Sequence, residues 1–380
     1  MDYQKLELSL LADDLQNVMS SIFAIQDHKY QGYLALAFSP ALGFIAEESK
    51  NYLSKNGLLT GNNRLSDSFE VSVTKLRALL KFFDDNDGGR KRLSSTFTLF
   101  LKTSARQMNV GKTAFQRFVA KLLQPDIGIY FCENLPFYLT VAGFSAVGLT
   151  LQEIENLEDS ELASLSKRAF EFSYAVGQYL ANVTAILAEN GVAVSLFSPL
   201  NSASSLSITH DNFLSKQIFS EVARRAGLTY PVDAVTLLYL LSQVNVAEML
   251  LPNIFQKESN LLFRLRFLIA YHVCRSIIAF QNECGPELKE LIDNILELGN
   301  LPNESKIRNS VAHYGFGEGR KFITQDTNPL FQIVEGFSGK SLSDISQLVT
   351  LRLTLISEWS ESNFSKDSFA RNRALLGDHI

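Results

Sequence analysis

Three residues in the last quarter of the chain have types and a spacing that can do chemistry. Arg308 and Asn309 are followed, after three residues, by His313, one of only five histidines. A histidine with a near-neutral pKa can take the proton of a ribose 2′-hydroxyl or protonate a leaving 5′-oxygen. Arginine stays charged and can hold a phosphate, and asparagine can orient the imidazole or the phosphate. These groups meet the needs of metal-independent RNA cleavage.

The local pattern predicts a short helix over roughly 304–314 that carries this motif. Asn303 is a typical N-cap residue and is followed by an acidic first turn. At about 100° per residue, Asn309 and His313 lie one turn apart on the same face, and Arg308 lies beside it. The polar groups then converge on one edge of the helix.

An ordinary surface helix explains the same spacing. In that interpretation His313 caps the last carbonyl groups and Arg308 pairs with Glu304, four residues earlier. Ile307 and Val311 are expected to be buried in either case. The spacing alone leaves both interpretations open.

Bulk composition narrows the class of protein. The chain has 380 residues, 46% of them apolar, and a net charge of −5, so any nucleic-acid contact must come from a local patch or from two chains together. The three cysteines have no C-x-x-C spacing, which predicts a cytoplasmic protein. No signal peptide is evident, and the apolar run 135–150 is shorter than the roughly 20 residues of a membrane span. No cluster has metal-ligand spacing, so neither metal nor cofactor is expected.

Helical periodicity dominates the elements that must position the motif, and it predicts an all-α fold. The predicted organisation is a helical N-terminal domain (1–197), a Ser-rich linker (198–209), a C-terminal helical domain (210–365) and a polar tail (366–380). We find no readable chemistry in the N-terminal domain. No internal repeat is present.

A second group of candidate residues lies on the predicted helix 258–282. Arg264, Tyr271 and Arg275 are spaced by near-whole turns and therefore share one face, with His272 beside them. This face is either the wet edge of a core helix or the wall of a cleft that supplies phosphate contacts.

Further candidate RNA contacts follow the motif directly. Tyr314 comes straight after His313, and Arg320 and Lys321 end a glycine-rich turn. Such a turn can cradle a phosphate through its backbone N–H groups, but the composition favours a flexible turn.

Residues 308–313 resemble the Arg-x(4–6)-His motif of HEPN domains, in its Arg-Asn-x-x-x-His form. The ending Ala312–Gly315 is similar to prokaryotic members of the Apea-like and abortive-infection-type groups. Segments 263–277 and 337–356 resemble the upstream and closing helices of these relatives. The resemblance covers about 210–365. Many relatives are expected to carry an acidic residue near Cys274, where this chain has Arg275.

The resemblance implies an all-α HEPN bundle with metal-independent endoribonuclease activity and Arg308, Asn309 and His313 as catalytic residues. In a prokaryote such an enzyme is expected to be a toxin-like or phage-defence effector. The N-terminal domain is then a candidate surface for a protein regulator or sensor. The competing hypothesis is a non-catalytic HEPN-like module that binds RNA, a nucleotide or a protein within a larger complex.

Proton transfer also predicts the oligomeric state. Cleavage by 2′-hydroxyl attack needs a base and an acid on opposite sides of the phosphorus, and one motif helix offers a single histidine. A second copy supplies another His313 and Arg308 to the same cleft. We therefore expect a homodimer through the 210–365 domain.

Overall fold

A computed structural model describes residues 1–59, 67–81, 88–117, 126–162, 164–194, 205–255 and 259–369. Helices dominate these ranges, which confirms the predicted class at that level. The all-α prediction holds only in part, because a small three-stranded sheet accompanies the helices.

The helices of the first half are α1 (Tyr3–Ile25), α2 (Gln31–Lys55), α3 (Asp67–Lys81), α4 (Gly88–Gln107), α5 (Leu151–Glu155), α6 (Asp159–Leu162) and α7 (Leu165–Glu189). Those of the second half are α8 (Ser215–Ala226), α9 (Pro231–Asn245), α10 (Leu251–Ile254), α11 (Asn260–Ile278), α12 (Pro286–Glu297), α13 (Glu304–Ala312), α14 (Pro329–Ser338) and α15 (Leu342–Phe364). A π-helical turn, Val246–Leu250, joins α9 to α10, and 3₁₀ turns span Thr140–Ala146 and Gly317–Phe322.

Several helices begin where a short polar side chain caps the first turn. The Asp2 carboxylate accepts a hydrogen bond from the Lys5 N–H at 3.1 Å at the start of α1. Ser259 and Ser341 play the same part for α11 and α15. Each cap satisfies a backbone donor that has no partner inside its helix.

The sheet has the strand order β2-β1-β3 and is antiparallel throughout. Strands β1 (Ile127–Cys132) and β2 (Leu135–Leu139) form a hairpin whose turn residues Glu133 and Asn134 both have positive φ, as two-residue hairpin turns require. Strand β3 (Ile208–Phe213) pairs with the other edge of β1.

Strand pairing and the hydrophobic core join residues on both sides of the predicted linker. β3 begins at Ile208, so the last residues of 198–209 enter the sheet, and residues 198–204 lie outside the described ranges. Helix α9 packs on β2, where the Asn245 side chain donates to the Pro136 carbonyl at 2.8 Å.

The start of the predicted polar tail also belongs to the core. Phe369 is buried, and its ring contacts Phe131, Phe213 and Phe364. Residues 370–380 lie outside the described ranges.

One helical stretch of the described chain, Val232–Ile254, is long and apolar enough to cross a bilayer. Its apolar window is 89% buried inside the fold, as in the core helix of a globular protein. Length and composition are therefore weak evidence for a membrane span here.

Two glycines meet where α8 ends. Gly227 has φ +62°, and a Cβ on it would lie 2.3 Å from the Cα of Gly285. We expect Gly227→Ala to lower the free energy of unfolding by about 2–5 kcal/mol, because left-handed strain (about 1–2 kcal/mol) adds to overpacking (about 1–3 kcal/mol). Urea unfolding measures the difference.

Gly57 provides the matched control for this substitution. Its φ is +67°, and no atom lies within 4 Å of the place that an alanine Cβ would occupy, so Gly57→Ala carries strain alone. We expect a loss of about 1–2 kcal/mol. Equal losses for the two variants would show that the contact with Gly285 imposes no steric cost.

Candidate functional site

The motif helix is α13, and it is shorter than predicted. It ends at Ala312, and His313 follows with an extended backbone (φ −118°, ψ 154°). Ile307 and Val311 are fully buried, as predicted. Asn303 occupies the N-cap position, but its side chain donates to the Phe337 carbonyl at 2.9 Å and makes no cap hydrogen bond.

The His313 ring is held at one nitrogen and open at the other end. Nδ1 lies 2.6 Å from Oε2 of Glu48, which comes from α2, 265 residues away in the chain. The His313 side chain is 48% exposed, whereas Glu48 is 2% exposed. A buried carboxylate on Nδ1 fixes the orientation of the ring and directs Nε2 away from α2.

Glu48 is itself held by a second cation. Its other oxygen accepts a hydrogen bond from Arg77 of α3, which also contacts Glu47 at 3.4 Å. Burial alone would raise the pKa of Glu48, but the hydrogen bonds and charges of His313 and Arg77 outweigh it and hold the pKa below the ordinary value of 4.5. The carboxylate therefore stays ionised at neutral pH.

Arg308 lies over an aromatic ring that another arginine also contacts. Its guanidinium carbon is 5.7 Å from the centre of the Tyr271 ring, and that of Arg275 is 5.3 Å away. Arg275 also donates to the Tyr271 hydroxyl at 2.6 Å. Glu304, the partner that the alternative interpretation assigned to Arg308, forms an ion pair with Arg352 at 2.6 Å.

The residue after His313 is tied to α1. The Tyr314 hydroxyl donates to Oδ2 of Asp14 at 2.9 Å, and Arg264 of α11 forms an ion pair with the same carboxylate. Arg264 also donates from Nε to the Val311 carbonyl at 2.7 Å. Asp14 and Arg264 are fully buried. This cluster fixes the end of α13 against α1 and α11.

A third carboxylate, that of Glu7, binds the turn that follows Tyr314. Oε1 of Glu7, also from α1, accepts the Phe316 N–H at 2.9 Å and an Arg320 N–H at 3.0 Å. The Tyr52 hydroxyl donates to its other oxygen at 3.1 Å. Glu7 is 2% exposed.

We call Glu7, Asp14 and Glu48 the carboxylate clamp, because together they bind residues 313–320 from the N-terminal helices. Sequence reasoning missed all three and found no chemistry in this region. A signal existed in α1, where Glu7 and Asp14 share the buried stripe of Leu11 and Val18 at spacings of four, three and four residues. Carboxylates on a buried face require partners.

The structure separates the predicted RNA contacts into two groups. Four are buried, which departs from their predicted role: Arg264, Tyr271, His272 and Tyr314. Their groups serve the internal contacts described above, or, for His272, pack edge-on against the Tyr271 ring. The others are exposed: Arg275, Arg320 and Lys321. Of these, Arg320 pairs with Glu7, and Lys321 lies over the Phe322 ring.

Within the described ranges, no group of three or more His, Cys, Asp or Glu side chains is placed to hold a metal ion. Comparison of the chain with protein-family models, curated proteins and solved structures gives no match. The resemblance to HEPN domains therefore rests on the sequence itself, namely the motif 308–313, the ending Ala312–Gly315 and the segments 263–277 and 337–356.

Proposed function

We propose that the protein is a metal-independent endoribonuclease of HEPN type, with His313 as the proton-transfer residue. One observation carries this proposal: His313 is bound at Nδ1 by the buried, ionised Glu48 while its ring stays half exposed. A carboxylate that orients an imidazole in this way recurs in enzymes that use histidine as a base.

We assign a role to each ring nitrogen from its hydrogen-bond partner. The Glu48 carboxylate can only accept, so neutral His313 carries its proton on Nδ1 and a lone pair on Nε2. Nε2 then takes the proton of the ribose 2′-hydroxyl. The 2′-oxygen forms a bond to phosphorus, and the bond from phosphorus to the 5′-oxygen breaks. The products are a 2′,3′-cyclic phosphate and a 5′-hydroxyl.

Arg308 and Arg275 are the candidate phosphate ligands. Both stay charged at any working pH, and Tyr271 fixes them on one ring. Charge grows on the non-bridging oxygens as the 2′-oxygen attacks, and two guanidinium groups stabilise it. Exposed Asn309 is positioned by α13 to orient the phosphate or the nucleophile.

The leaving 5′-oxygen needs a proton from a second group. Arg308 and Arg275 cannot give one at neutral pH. We assign this role to His313 of a second copy, in a homodimer through the 210–365 region. The carboxylate that many HEPN relatives are expected to carry on the upstream helix is replaced in this proposal by Glu48 of α2.

Cleavage of RNA in excess EDTA tests the proposal. We expect purified protein to cut single-stranded RNA and to leave 2′,3′-cyclic phosphate ends. An oligonucleotide with one 2′-deoxyribose should resist cleavage at that nucleotide only, since the nucleophile is missing there. Because two copies form the site, specific activity should fall when the protein is diluted below the dimer dissociation constant.

Four results would contradict parts of this proposal. A requirement for added Mg²⁺ would exclude metal-independent cleavage, and equal cleavage of DNA would exclude attack by the 2′-hydroxyl. RNA that is retained on the protein but never cut would favour the binding-module alternative, with which the net charge of −5 is compatible. Full specific activity in a demonstrated monomer would show that two copies do not share one active site.

A further inference from the structure

Helices α2 and α3 come very close together beside the proposed site. At Gly43 of α2 no side chain separates them, and a Cβ there would lie 2.6 Å from the Leu76 Cβ and 3.1 Å from the Arg77 backbone nitrogen. A larger residue would therefore require α3 to shift. Glu47 lies one turn beyond Gly43 on the same face of α2, and Glu48 follows it. The close packing brings Arg77 within reach of both glutamates.

Arg77 contacts the two carboxylates at once. One terminal nitrogen donates to Oε1 of Glu48, and the other lies 3.4 Å from Oε1 of Glu47. The Arg77 side chain is only 11% exposed. A guanidinium group is planar and holds its donors in a fixed fork, so two contacts define its orientation as well as its position. Arg77 is therefore a fixed anchor for Glu48.

The second contact on Glu48 matters because a glutamate carboxylate rotates easily about its last side-chain bond. That torsion has a broad, roughly twofold preference, so a hydrogen bond at one oxygen leaves the plane of the group poorly defined. Here Oε2 binds Nδ1 of His313 at 2.6 Å, while Oε1 binds Arg77. With both oxygens engaged, Glu48 presents a fixed acceptor to the imidazole ring.

We propose that Arg77 is a positioning residue, which holds Glu48 so that neutral His313 keeps its proton on Nδ1 and its lone pair on Nε2. Arg77 acts on His313 through Glu48, and so links α3, α2 and the turn that follows α13. The effect of Arg77 on catalysis rests on the proposed function. Its effect on the tautomer of His313 does not require the protein to cleave RNA.

Nitrogen-15 NMR of the RNA-free protein tests this role, because the two neutral tautomers of a histidine ring differ in their nitrogen chemical shifts. Spectra are recorded at alkaline pH, where an imidazole is neutral, and His313→Ala identifies the His313 signals. We expect the wild type to hold the Nδ1–H form. Arg77→Met should shift the population towards the Nε2–H form, which a free histidine side chain prefers.

The Lys50–Glu70 pair provides the matched control, because it joins the same two helices but is exposed. Glu70→Ala breaks this pair and should leave the tautomer of His313 unchanged. Arg77→Met removes a cation from buried Glu48, so circular dichroism checks that this variant folds. Arg77→Lys keeps the charge but lacks the fork that contacts both glutamates, and it should shift the tautomer by less.

Two NMR results overturn the proposal. One is a wild-type tautomer in the folded Arg77 variants, and Arg77→Lys decides this if Arg77→Met does not fold. The other is an equal shift in Glu70→Ala, which would show that any loosening of α2 from α3 disturbs the ring.

RNA cleavage gives the second readout. Arg77→Met should lower kcat by up to about 100-fold with little change in KM, since displacing a reacting group by about 1 Å can cost that much. An unchanged kcat in this variant of an active enzyme would show that Arg77 has no part in catalysis. A wild type that cuts no RNA would refute the proposed function, and the NMR result would still decide whether Arg77 positions His313.

Discussion

Replacing His313 by alanine is expected to lower the rate of RNA cleavage in EDTA by about 10²–10⁴-fold, the usual contribution of a positioned acid or base. The ring is 48% exposed and its only described polar contact is with Glu48, so its removal leaves the core intact. Initial rates on a labelled RNA measure the effect. A composite site loses both its base and its acid in this variant, which places the expected loss at the upper end.

Two further variants serve as comparisons for this experiment. His210→Ala removes an exposed histidine from β3 and should leave the rate unchanged. Glu48→Gln keeps the size of the side chain but removes the charge that orients His313, and it should reduce kcat less than His313→Ala does. If His313→Ala cleaves as fast as the wild type, the proposed assignment of the proton-transfer residue is wrong.

Asp14→Ala is expected to lower the free energy of unfolding by about 3–5 kcal/mol, because it leaves the fully buried Arg264 without its counter-charge. The variant also removes the acceptor of the Tyr314 hydroxyl. Chemical unfolding measures the loss. As a control, Glu70→Ala breaks the exposed Lys50–Glu70 pair and should cost at most about 1 kcal/mol. Similar losses in both variants would show that the buried pair is not specially important.

The same carboxylate makes stability depend on pH in an unusual direction. Burial raises the pKa of Asp14 from 3.8 to about 6, against the opposing influence of Arg264 and Tyr314. Between these values the folded chain holds a proton that the unfolded chain has released. The contribution of Asp14 is therefore fully present below pH 3.8 and is lost as the pH rises through 6, by about 3 kcal/mol. Asp14→Asn should lack this slope when both proteins are unfolded across that range.

Helical periodicity was sufficient to predict α11 and α13, including the buried side of α13, because amphipathic helices repeat their apolar residues locally. The sheet was missed for a physical reason. All six residues of β1 are buried, so the alternation that identifies a half-exposed strand is absent. β3 lies at the end of a Ser-rich segment whose composition favours a linker, and only its pairing with β1 makes it a strand.

The candidate site was also predictable only in part. Local spacing identified Arg308, Asn309 and His313, but it carried no information on Glu48, whose contact with His313 is made only by the tertiary fold. Arg264 and Tyr271 share a helix with Arg275, yet the fold buries the first two, with Arg264 paired to Asp14 of α1. Periodicity places residues on a face, and only the neighbouring elements decide whether solvent reaches it.

The carboxylate clamp also sets the order of events during synthesis. Its contacts with His313, Tyr314 and Phe316 join residues separated by 265, 300 and 309 positions. A ribosome that has made the N-terminal helices must therefore still add most of the chain before Glu48 can meet His313. Chains that end before these residues therefore lack an oriented His313, so the proposed nuclease would be unable to attack its own messenger RNA until this part of the chain has left the ribosome.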